Sequence, residues 1–291
     1  MRFAPDPTQT CSTTAGFRYL VAGGWHSALS GVLASIVFVA IVFVLTNDPQ
    51  AAEHEHERGP SLRILFVTFF VFLVASFLWS TVAGFGPTIT TGVPPRHVPS
   101  AVQPVLGVSA AWLLSIGAAL LFFAVCWLVA AYEGHRERAS SVAQTATRCF
   151  RLIAWLTAVE VWIAVETATR SLAGRGWWYS PATVTIVAVV SIPFVFADRL
   201  VAPAPRVATG GNAAEVRIGP ATMFVGAGAT LMIVFFAVIT GQPDVTVLHE
   251  GNWCAGGLPW GAAVAALGTM VLYLCSVAAL ARALPSVRAD A

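Results

Sequence analysis

Apolar residues in this chain neither alternate nor recur every third or fourth position; they run on. Long stretches that are almost wholly apolar are separated by short segments holding most of the charges and prolines. Crossing a hydrocarbon core takes roughly 20 consecutive apolar residues in a helix. Seven runs meet or approach that length, at about 25–45, 63–85, 104–132, 151–170, 181–197, 220–240 and 260–281. Three open on a proline (Pro104, Pro181, Pro220) and Pro259 just precedes a fourth. Proline suits a helix's first turn, where its missing N–H would be unpaired anyway. Pro193 falls inside the fifth run, where it removes a backbone bond and is expected to kink the helix. The expected fold is therefore all-α: a polytopic bundle of seven transmembrane helices, one transmembrane domain over 1–291. Each connection is shorter than about 25 residues, too short for a soluble domain.

Composition strengthens this picture. Hydrophobic residues make up 57% of the chain and charged residues 10%, against about 25% charged in a soluble domain. So few charges cannot cover a water-facing surface, and the lipid bilayer is the expected partner. The net charge of +2 points to no nucleic acid. All 16 basic residues are arginines, as in a GC-rich bacterial coding sequence. Without lysine the chain forms no Schiff base, which sets it apart from retinal-binding seven-helix proteins.

Arginine placement predicts orientation, because cytoplasmic loops are enriched in basic residues. Eleven arginines fall on the side of loops 1–2, 3–4 and 5–6 and the C-terminal tail, and five on the other. The expectation is a cell-membrane protein with its N-terminus outside and its C-terminus cytoplasmic. Trp177, Trp178, Tyr179, Trp253 and Trp260 flank the spans as interfacial anchors. Helix association in lipid relies on close backbone approach, so small residues at four-residue spacing mark packed faces. Four runs carry them: Ser27/Gly31/Ser35, Gly107/Ala111/Ser115/Ala119, Thr222/Gly226/Thr230 and Gly261/Ala265 with Gly268.

Glu160 stands near the centre of the fourth run. A carboxyl at bilayer mid-depth costs at least ~2.5 kcal/mol unless it finds a partner, a proton or water. Thr157, Ala164 and Thr167 share its helix face. Glu166 lies about 9 Å further along and about 120° around. It precedes Arg170 by four residues, the favourable order for an ion pair on one helix. Glu160 has no such neighbour and is expected to reach another helix.

Weaker signals surround it. Glu53-His54-Glu55-His56-Glu57 has metal-binding residue types, but its spacing fits no defined site; it reads as a solvated loop, with His54 and His56 as weak ligand candidates. His26 and Ser30 sit at the outer end of the first run, yet no later run supplies a histidine base for serine chemistry. Cys126 and Cys275 lie within runs and Cys149 on the cytoplasmic side; Cys11 and Cys254 both fall outside, where a disulfide between them would persist. The leading functional expectation is transport or permeation of a small solute or ion with Glu160 in the path. A non-catalytic subunit or regulator of a larger membrane complex is the alternative, with other membrane subunits or further copies in a homo-oligomer as expected partners. A membrane-embedded lipid-modifying enzyme ranks third.

Overall fold

The computed structural model describes residues 19–46, 55–84, 88–90, 96–98, 102–133, 139–172, 181–197, 219, 221–230 and 260–285. Seven helices carry almost all of them: α1 (Tyr19–Thr46), α2 (Glu55–Gly84), α3 (Val102–Glu133), α4 (Ala139–Leu172), α5 (Pro181–Val195), α6 (Ala221–Thr230) and α7 (Trp260–Arg282). Three segments are long and apolar enough to cross a membrane: Ala22–Thr46, Ser61–Gly84 and Leu106–Val129. The remaining apolar segments, Ala182–Val195, Ala221–Thr230 and Gly268–Arg282, are shorter.

The connections differ from the sequence reading in two places. The second connection folds into a small antiparallel ribbon, β1 (Thr88–Thr90) with β2 (Arg96–Val98), pairing Ile89 with His97. The Thr-Ile-Thr run supplies the β-branched residues that favour strands. The first turn of α2 also takes in Glu55, His56 and Glu57, which the sequence places in a loop. His54 and the side chain of His56 lie outside the described residues, and so do Cys11 and Cys254.

The helices pack in chain order, α1 on α2, α2 on α3 and α3 on α4; α4 then meets α5 and α7. Contacts fix the directions. Ser27 meets Ser80 while Phe38 meets Phe69, so α1 and α2 are antiparallel. Ser115 meets Glu160 while Phe123 meets Phe150, so α3 and α4 are antiparallel too. The apolar segment of α3 is 67% buried and that of α1 only 28%, which makes α3 the central helix and α1 a peripheral one. Trp112, Tyr273, Phe72, Phe123 and Phe150 are the largest fully buried side chains.

Small residues set the close approaches. A Cβ on Gly23 would come within 3.0 Å of the Trp79 carbonyl, and one on Gly117 within 2.8 Å of the Phe72 ring. On α6 the packed face is not the expected Thr222/Gly226/Thr230 stripe. Thr230 is exposed and a Cβ on Gly226 meets nothing within 4 Å, whereas Gly228 faces Trp112 and Leu272. Outward faces are apolar: Leu29, Val32, Ile36, Val39 and Phe43 form one stripe on α1, and Phe66, Phe70, Leu73 and Phe77 another on α2. Exposed apolar surface on this scale suggests embedding in a bilayer.

Candidate functional site

Glu160 reaches two other helices. Ser115 Oγ on α3 donates to Glu160 Oε2 at 3.4 Å. His26 Nε2 on α1 lies 3.9 Å from Glu160 Oε1. Three consecutive facts of packing produce this meeting. The small stripe on α3 lets α4 approach until Ser115, itself fully buried, comes within reach of the carboxyl. The glycine–serine face of α1 docks against α2. That docking brings His26 beside Trp79, whose ring centroid lies 4.6 Å from the imidazole at an interplanar angle of 37°.

The imidazole is anchored at one nitrogen and open at the other. Its Nδ1 lies 3.0 Å from the Ala22 carbonyl, one turn back on the same helix. A carbonyl only accepts, so Nδ1 carries the hydrogen and Nε2 faces Glu160. Neither partner is sealed: the side chains of His26 and Glu160 keep 32% and 40% of their surface exposed.

The same face of α4 continues one turn on into a second polar pair. Thr157 Oγ1 donates to the Ile153 carbonyl at 2.7 Å, so its single proton is committed. The Tyr273 hydroxyl, 2.5 Å away on α7, is therefore the donor in their mutual bond. The Tyr273 ring stands edge-on to Trp112, with centroids 6.3 Å apart. Glu160 and Thr157 thus link α1, α3, α4 and α7 through one column of side chains.

Glu166 belongs to a different contact. It is buried and accepts a hydrogen bond from Thr183 Oγ1 on α5 at 3.2 Å. The Arg170 side chain lies outside the described residues. Trp155 Nε1 donates to the Ala188 carbonyl at 2.8 Å, and the Arg151 guanidinium sits 5.0 Å above the Phe196 ring. Together these bonds fasten α5 to α4. Thr167 is buried on the Glu160 side of α4. Among the described residues no three His, Cys, Asp or Glu side chains gather to hold a metal ion, and Cys126, Cys149 and Cys275 are free thiols.

Sequence reasoning singled out Glu160, Thr157 and the small face of α3 but did not join His26, Ser115 or Tyr273 to them. The available signal for Ser115 was its place on that small face; His26 offered only its rarity as an ionisable residue in an apolar run. No family model, curated protein or solved structure matches the chain.

Proposed function

We propose that this is an integral protein of the cell membrane, with seven spans, an outside N-terminus and a cytoplasmic C-terminus, that passes a small ion or solute through the polar site around Glu160. One observation carries the reading. A carboxyl, an imidazole and a hydroxyl from three helices meet within otherwise apolar segments, and two of the three remain accessible. Ionisable groups within apolar spanning segments characteristically mark ion or proton routes. The test is flux across vesicles of phosphatidylcholine and phosphatidylglycerol containing the full chain. Glu160→Gln keeps the size of the side chain and an acceptor for Ser115 while removing ionisation. It is expected to lower flux at least tenfold with unchanged insertion; equal flux from the variant would sink the proposal.

A second reading, a subunit of a larger membrane complex, draws on the same exposed edge. The His26 and Glu160 side chains are left part-exposed, and a helix of another subunit or of a second copy would cover them. A detergent-extracted particle from native membranes much larger than the chain, combined with no flux from the isolated protein, would favour this reading over transport.

A further inference from the structure

We infer that the site holds one proton between His26 Nε2 and Glu160 Oε1, and that the ion it takes is a proton and not a metal cation. In its flux aspect this rests on the transport reading above. The argument begins with donors and acceptors. The Ala22 carbonyl fixes the hydrogen of a neutral His26 on Nδ1, which leaves Nε2 with a bare lone pair. That lone pair faces a carboxyl oxygen 3.9 Å away. The Ser115 hydroxyl spends its hydrogen on the other oxygen, Oε2. Trp79 meets the imidazole ring to ring. Two acceptors therefore confront each other across a gap into which no described side chain donates.

A single proton resolves the conflict. On Nε2 it makes an imidazolium facing a carboxylate; on Oε1 it makes a neutral imidazole facing a carboxylic acid. Passing between these forms breaks the N–H bond, forms the O–H bond and leaves the net charge of the pair at zero. An approach of about 1 Å brings the two atoms to hydrogen-bond distance. With no proton the pair is an anion, and with two it is a cation; both are costly among apolar side chains. Among the described residues the other titratable side chain whose charge would meet Glu160 is Tyr273 on α7, and its hydrogen is directed to Thr157. From α2 the site receives the Trp79 ring alone among the described contacts.

Among the described residues the ligand set falls short of what divalent metals take. Hard divalent cations take about six to eight oxygen ligands, whereas one carboxyl and one hydroxyl converge here. Zinc takes about three or four histidine, cysteine or carboxylate ligands; this site has two, and no trio occurs among the described residues.

The experiment is nitrogen-15 resonance of the histidine-labelled full chain in phosphatidylcholine–phosphatidylglycerol vesicles, with His26 assigned through His26→Gln. The expected result is a protonated Nδ1 and a Nε2 signal that moves when Glu160 becomes Gln and, more weakly, when Ser115 becomes Ala. The other histidine signals stay put, and unchanged thermal midpoints of the variants report an intact fold. Adding sodium, potassium or zinc salts leaves the His26 signal unchanged. A bare Nδ1, a Nε2 signal indifferent to both variants, or a shift on adding a metal salt would overturn the inference. Flux separates it from the reading beneath it. Proton flux that persists when sodium and potassium are replaced by choline, and falls at least tenfold in both His26→Gln and Glu160→Gln, supports both. Metal-cation flux lost in Glu160→Gln overturns the inference and keeps transport. A coupled His26 signal without any flux keeps the proton site and overturns transport.

Discussion

Tyr273 is fully buried, and its hydroxyl is bonded to Thr157. Tyr273→Phe removes that bond but leaves Thr157 donating to Ile153, so one buried acceptor loses one partner. Interhelical hydrogen bonds in membranes average ~0.6 kcal/mol and reach about 1.7. A loss in that range is expected, read as a small drop in thermal midpoint in detergent. Trp112→Ala, in contact with the same ring, is expected to cost about 3–5 kcal/mol because it empties a core position. Residue by residue, the site was only half legible. A glutamate inside an apolar run announces itself, because lipid makes every charge expensive. Its partners do not: a serine in a small-residue stripe or a histidine near a helix end has many local uses, and only the packing of α1 and α3 selects these.

At the scale of elements, apolar run length pointed to helices, because a helix satisfies its own backbone and a long apolar run can form one without outside partners. It failed at the start of α4. The expected run began at Arg151, yet the helix begins at Ala139 and has 34 residues. Over those first turns Val142, Gln144, Thr145 and Arg148 are exposed while Ala143, Ala146 and Phe150 are buried. That is an amphipathic, helix-period pattern, invisible to a count of consecutive apolar residues. Small-residue stripes were similarly partial guides, since glycine is abundant and only some glycines touch a neighbour. The contrast is testable. Gly117→Ala places a Cβ 2.8 Å from the buried Phe72 ring and is expected to destabilise α2–α3 packing by about 1–3 kcal/mol. Gly226→Ala meets open space and is expected to be neutral or to stabilise by up to ~1 kcal/mol through helix propensity. Thermal unfolding of the two variants side by side reads the difference.

For the whole molecule the proposed orientation follows from arginines alone, and it makes a direct prediction. A reporter active only in the cytoplasm, fused after Ala291, should give signal; an active periplasmic reporter at that position would reverse the proposed C-terminus. The serine contacts between the first two helices carry a consequence in time. Ser27 donates to the Ser76 carbonyl, Ser76 returns a bond to the Ser27 carbonyl, and the Ser27 and Ser80 hydroxyls lie 2.6 Å apart. All these residues leave the ribosome early, whereas Glu160 follows His26 by more than a hundred residues. At ~5–20 residues per second that is a wait on the order of ten seconds. During it the imidazole waits with its eventual partner not yet made. If the first hairpin pairs through these serines as soon as it is made, it would hold His26 in place until the fourth helix is there to meet it.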